Sequence, residues 1–143
     1  MANTKSLITL EEYLNKKKTF LIPSYQRGYI WGKSHGEKKD SVTFLLESIK
    51  SCIDNDSELF LQGVTVSENG DVIEIIDGQQ RTTAFYLLLV YLGYKGFYSL
   101  KYKIRQESQD FLNGLKDMDP DTLVLSCTEK IDEEFQDIYF FKK

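Results

Sequence analysis

The segment VIEIIDGQQRTT at residues 72–83, continuing into a Leu-rich stretch that ends at Leu92, constrains the fold more than any other part of the chain. It is β-branched before Gly78 and Leu-rich after Thr83, the pattern of a buried strand entering a helix through a glycine turn. The first turn of such a helix leaves backbone N–H groups unpartnered and carries partial positive charge, so it suits an anion. Gly78 lets the backbone approach a ligand, and Arg81 offers a planar fork of donors for phosphate oxygens. Gln79 and Gln80 can donate or accept without adding charge. Asp77, at the strand's end, can hold a divalent metal or cap the helix. Spacing alone leaves a plainer alternative, a capped turn in which Asp77 is the N-cap and Arg81 a solvated first-turn residue.

A second polar cluster lies upstream. Thr19–Ile22 reads as a short strand stopped by Pro23, and SYQRGYIW follows at residues 24–31. Pro23 and Gly28 bias this segment toward a loop. Such a loop can stack a base or ribose on Tyr25, Tyr29 or Trp31 while Gln26 and Arg27 address phosphates or base edges. The competing reading is a packing loop, its rings plugging the core and Arg27 held in a structural ion pair.

The remaining elements read as support. Thr9 and Glu12 form a capping-box pattern opening a short helix, with Lys16, Lys17 and Lys18 expected near its C-terminal end. Asp40 or Ser41 is expected to cap a helix through Ile53 whose apolar stripe is Val42, Leu45, Leu46, Ile49 and Ile53. Residues 59–66 and 71–76 flank Asn69–Gly70, a strong hairpin signal. Gly63 inside the first of these runs points to a bulge or a close backbone approach. Gly93 and Gly96 end the long helix, Tyr98–Ile104 alternates as a strand, and Arg105 is placed to point back toward the turn. A helix is expected over 107–115, and further helix over the remainder. The segment 32–39 reads as an exposed polar loop in which His35 is a surface residue.

Composition narrows the function classes. At 41% hydrophobic and 28% charged residues, the chain is an ordinary globular one. A net charge of −4 disfavours bulk binding of DNA through an overall positive field. No apolar run approaches a bilayer-spanning length and the N-terminus lacks the apolar core of a signal peptide, so no membrane partner and a cytoplasmic location are expected. Cys52 and Cys127, far apart, are expected to be buried free thiols rather than part of a zinc cluster or disulfide.

Two motifs in order, Ile22, Pro23, Tyr25, Gln26, Arg27, Tyr29 and Trp31 in the first and Asp77-Gly78-Gln79-Gln80-Arg81-Thr82-Thr83 in the second, with Phe60–Gly63 between them, carry a resemblance. Over about residues 8 to 115 the chain resembles the N-terminal domain of GmrSD-type, modification-dependent restriction and phage-defence proteins. The resemblance implies an α+β, ParB/sulfiredoxin-like fold: a small mixed sheet with a β-hairpin and packed helices. It implies a nucleotide-binding domain over 1–115; over 116–143 the helical spacing and the apolar end Tyr139-Phe140-Phe141 lead us to expect the start of a helical extension truncated from a longer protein.

It further implies a regulatory domain that binds and hydrolyses a nucleoside triphosphate with Mg²⁺. Asp77, Gln80 and Arg81 would be catalytic, with Asp77 holding the metal. Gln26, Arg27, Gly78, Gln79, Thr82 and Thr83 would bind the nucleotide, and Tyr25, Tyr29 and Trp31 would stack on base or ribose. The family couples this activity to a C-terminal HNH-type nuclease, with DNA as a partner of the full-length protein. One histidine cannot build an HNH site, so no nuclease activity is expected of this chain. Sulfiredoxin chemistry needs a cysteine in the phosphate loop, and residues 77–83 contain none. Thr82 stands where the family often has Leu, and Glu47 where it often has Asp. The alternatives are a module that senses a nucleotide or DNA without hydrolysis, and a truncated remnant serving only as an interaction domain.

Overall fold

The computed structural model describes residues 7–15, 17–31, 40–94, 98–115 and 117. Their elements run α1 (Leu10–Leu14), β1 (Thr19–Ile22), α2 (Ser41–Asp54), β2 (Thr65–Asn69), β3 (Val72–Asp77), α3 (Gln79–Tyr91), β4 (Ser99–Tyr102) and α4 (Gln106–Leu115). The fold is α+β around a four-stranded mixed sheet of order β2-β3-β1-β4. β1 lies parallel to both β3 and β4, while β2 and β3 form the antiparallel hairpin through Asn69–Gly70. The carboxyl ends of β1, β3 and β4 therefore emerge on the same edge.

Alternation along the strands sets the core. Phe20 and Ile22 of β1, Ile73 and Ile75 of β3, and Leu100 and Tyr102 of β4 are all buried, two residues apart in each strand. They join Tyr86 and Val90 of α3, Leu112 and Leu115 of α4, and Tyr98 in one cluster. A second cluster holds Ala84 and Phe85 of α3 with Leu45 of α2 and Tyr29 of the loop after β1. Because α3 serves both clusters, every residue from Thr82 to Tyr86 is buried and its first half shows no polar stripe. This helix is the centre of the domain rather than a cover on the sheet.

Local chemistry accounts for the element ends. Both capping-box bonds open α1: Glu12 N–H donates to Thr9 Oγ1 (3.1 Å) and Thr9 N–H to Glu12 Oε2 (2.7 Å). The helix stops at Leu14, so Lys17 and Lys18 lie beyond it instead of complementing its dipole; Lys18 pairs with Glu68 on β2 at 3.0 Å. Asp40 caps α2 through Thr43 N–H. Gly93, at φ +70°, closes α3 as Tyr94 N–H reaches Leu89 carbonyl (2.9 Å).

The first hairpin strand is shorter than the sequence pattern predicts. It covers Thr65–Asn69, with a register irregularity at Thr65/Val66, and residues 59–64 are not strand. The carbonyls of Gln62 and Gly63 accept hydrogen bonds from the Arg81 guanidinium, which occupies groups a ladder would need. Cys52 is free and half-buried. Cys127, His35, the 32–39 loop, Gly96 and the helix expected beyond 117 lie outside the described residues.

Candidate functional site

The two polar motifs meet at the carboxyl ends of β1 and β3. Pro23 ends β1 and starts the loop 23–31, and Asp77 ends β3 one residue before Gly78 begins the turn into α3. Side-chain amides tie the two segments together. Gln26 Nε2 donates to Ile76 carbonyl (2.7 Å). Gln80 Nε2 donates to Gly28 carbonyl (2.9 Å), and Gln80 Oε1 accepts from Ile30 N–H (2.9 Å). A cavity of about 440 Å³ opens between them, lined by Tyr25, Gln26, Arg27 and Trp31 from the loop and by Asp77 through Arg81 from the turn.

Gly78 is required by two independent facts. Its φ of +97° lies in the left-handed region, and a Cβ there would stand 2.9 Å from both methyl carbons of Val64. The helix N-cap is Gly78 itself, with no side-chain cap bond. Asp77 is thus not the cap that spacing allowed; its Oδ1 accepts from Gly78 N–H (2.9 Å), fastening the turn. The amide groups of the first α3 turn are left uncapped at the cavity, together with the positive end of the helix dipole.

The charge on the cavity wall comes from Arg27, Arg81 and Asp77. Arg27 is exposed and has no ion-pair partner among the described residues. Arg81 is half-buried, and two of its guanidinium N–H groups are taken by Gln62 and Gly63 carbonyls, the latter at 3.1 Å. Of its five donors, three remain. Its fork is used first to pin residues 62–63 beside the turn.

A family model described as the GmrSD restriction endonuclease N-terminal domain matches residues 10–142. The chain belongs to that family. Membership makes it a domain of the restriction and phage-defence type. Comparison with curated proteins and with solved structures gave no match.

Within this family domain the motif residues divide by position. Tyr25, Gln26, Arg27, Trp31, Asp77, Gly78, Gln79, Gln80 and Arg81 share one cavity. Tyr29, in contrast, is only 3% exposed and packs with Leu45, Ala84 and Phe85, which pushes its phenol well above the ordinary tyrosine range through loss of solvation. It sits behind the cavity wall. Tyr25 is 66% exposed at the cavity, and Trp31 is half-buried between the cavity and the second core cluster.

Thr82 and Thr83 are fully buried and do not line the cavity. Thr82 Oγ1 donates to Gly78 carbonyl (3.0 Å) and meets Tyr13 Oη at 2.7 Å; Tyr98 Oη donates to Thr82 carbonyl (2.6 Å). Thr83 Oγ1 lies 3.1 Å from Tyr102 Oη. Three tyrosines, Tyr13 from α1 and Tyr98 and Tyr102 from β4 and its approach, thus hold the start of α3 from behind. Sequence reasoning missed them because no local signal marks a contact 69 residues apart.

Arg105 does approach the site, from the loop side. A Cβ on Gly28 would lie 3.5 Å from its guanidinium carbon, so the guanidinium rests against the Gly28 backbone outside the cavity wall. No group of three metal-ligating side chains exists among the described residues. Asp77 is the one carboxylate among the described residues of the cavity wall. That donor set suits Mg²⁺ arriving with phosphates, which binds through one or two carboxylates plus phosphate oxygens and water, and does not suit a resident metal.

Proposed function

We propose that this domain binds a nucleoside triphosphate with Mg²⁺ in the cavity between the two motifs and hydrolyses it, as the regulatory part of a modification-dependent restriction or phage-defence protein. The carrying observation is the convergence of two cavity-lining arginines and an uncapped helix N-terminus at the carboxyl edge of the parallel strands. Ligands of open α/β sheets favour that edge.

Arg27, with no ion-pair partner among the described residues, takes the terminal phosphate oxygens. The three remaining N–H groups of Arg81 and the first-turn amides face the others. Tyr25 and Trp31 flank the base or ribose. Asp77 would hold Mg²⁺ against the phosphates, and the metal supplies charge neutralisation when bound. Gln26 and Gln80, whose amides are engaged with the backbone, hold the loop against the turn rather than orienting water. A ParB/sulfiredoxin-like ancestry, a cytoplasmic setting, DNA as partner and a C-terminal HNH-type nuclease belong to the same proposal.

The second reading, nucleotide sensing without turnover, is favoured by one feature. The single carboxylate among the described wall residues, Asp77, already fastens Gly78 and is assigned to the metal, which leaves no general base for water among them. Calorimetry with each of the four NTPs and Mg²⁺, run beside a phosphate-release assay, separates the readings. Binding with turnover supports hydrolysis, and binding alone assigns the sensing module. No binding by a folded domain, with Arg27→Ala indistinguishable from the parent, rejects the nucleotide site.

A further inference from the structure

Three glutamines line the cavity, and their hydrogen bonding is unequal. Gln80 uses both ends of its carboxamide on the loop backbone, and Gln26 donates to Ile76 carbonyl. Gln79 is only 6% exposed, yet its buried Oε1 has no hydrogen-bond partner. A buried acceptor without a donor costs the folded protein its full desolvation penalty. On a cavity wall, such an acceptor is open to completion by a donor that enters.

The missing partner must be a donor. Phosphate oxygens at neutral pH only accept, so the triphosphate cannot satisfy Gln79, whereas nucleobase N–H groups and ribose hydroxyls can. The terminal torsion of glutamine is soft, and a modest turn of the carboxamide brings its oxygen to an entering group. We propose that Gln79 determines ligand specificity by accepting a hydrogen bond from an N–H or O–H donor of the nucleoside moiety. This rests on the nucleotide reading of the same cavity. Arg27 and Arg81 then mark the phosphate end and Gln79 the nucleoside end.

The test pairs ligand and protein changes on the whole domain. Calorimetry compares the tightest-binding NTP with an analogue stripped of base donors: purine riboside triphosphate for a purine ligand, pyrimidin-2-one riboside triphosphate for a pyrimidine. The 2′-deoxy and 3′-deoxy forms form the other arm and separate ribose from base. The parent should lose at least about fivefold in affinity for one stripped analogue. Gln79→Met should bind that analogue and the complete ligand alike, and should melt no lower than the parent because the orphaned acceptor is gone. Gln79→Glu, which keeps an acceptor, should retain the preference at lower overall affinity, and it keeps the test decisive if the Met variant fails to fold. A preference that survives in Gln79→Met, or no preference in the parent, overturns the assignment while leaving the nucleotide site standing. Absence of binding by every ligand overturns the nucleotide reading and this inference with it.

Discussion

The carboxamide oxygen of Gln80 accepts the backbone N–H of Ile30 at 2.9 Å, fifty residues away in sequence. The other end of the same amide donates to Gly28, so one side chain on α3 sets the position of the loop that carries Arg27 and Trp31. Motif spacing cannot show this, because a glutamine facing a ligand and a glutamine facing a backbone look alike in sequence.

Gln80→Ala should therefore act first on the loop. It leaves a buried-side N–H and carbonyl without partners, which costs roughly 1–3 kcal/mol. Urea denaturation should show the loss, and hydrogen exchange should show the Ile30 amide losing protection while β3 keeps its own. Unchanged exchange at Ile30 would mean that the loop is held by something else.

Gly78→Ala combines left-handed backbone strain with a clash against Val64. The expected destabilisation is roughly 1–3 kcal/mol. Adding Val64→Ala removes the two methyl carbons at 2.9 Å but not the strain at φ +97°, so rescue should be partial. Full rescue would show that sterics alone select glycine.

The elements were largely legible in the sequence because their signals are local. The capping box at Thr9 and Glu12, the Asp40 cap and the Asn69–Gly70 turn each lie within a few residues of what they control. The hairpin strand is shorter than its sequence pattern because Arg81 competes for the carbonyls of Gln62 and Gly63 from 19 and 18 residues away. Nine motif residues converge on the cavity, as two motifs bracketing a shared sheet edge would. The burial of Tyr29, Thr82 and Thr83 was not legible, since aromatic and hydroxyl groups serve a core hydrogen-bond network as well as they serve a ligand.

Arg27 and Arg81 should separate stability from binding. Arg27→Ala removes an exposed side chain with no ion-pair partner among the described residues, so its unfolding free energy should match the parent within about 0.5 kcal/mol. Arg81→Ala also releases the carbonyls of Gln62 and Gly63, and should cost about 1 kcal/mol. Both should weaken triphosphate binding by at least tenfold, roughly 1.4 kcal/mol. Equal stability losses for the two variants would contradict the pinning role of Arg81.

The buried tyrosines on and behind α3 predict an alkaline limit to folding. Burial strips solvent from the Tyr13, Tyr86 and Tyr102 phenols and pushes each up to about 12, the contacts with Thr82 and Thr83 opposing the rise at Tyr13 and Tyr102. Burial also raises Tyr98, helped by Tyr13 and Tyr86. Tyrosines in the unfolded chain ionise near pH 10, so between about 10 and 12 the unfolded state has lost protons that the folded state keeps. Stability is full below that window and falls as pH rises through it, with a slope approaching about 1.4 kcal/mol per pH unit for each buried phenol. Urea midpoints across this range, followed with phenolate absorbance, should show ionisation and unfolding together. Tyr13→Phe should flatten the slope by one tyrosine, at a cost of about 1 kcal/mol at neutral pH for the lost Thr82 contact.

Asp77 gives the sharpest separation between fold and chemistry. Its Oδ1 accepts from Gly78 N–H, and an asparagine oxygen can do the same, so Asp77→Asn should leave the turn, the cavity and the melting temperature close to those of the parent. The substitution removes the one carboxylate among the described residues of the cavity wall, and with it the negative charge that would hold Mg²⁺ beside the phosphates. Triphosphate affinity in the absence of metal should stay level or rise, because a like charge near the phosphates is gone. The gain in affinity that Mg²⁺ gives the parent should shrink by about tenfold, and phosphate release should fall with it. Calorimetry with and without Mg²⁺ on both proteins reads the difference directly. An undiminished Mg²⁺ effect in the asparagine variant would mean that the phosphates alone carry the metal, and Asp77 would then be left as a fastener of the Gly78 turn.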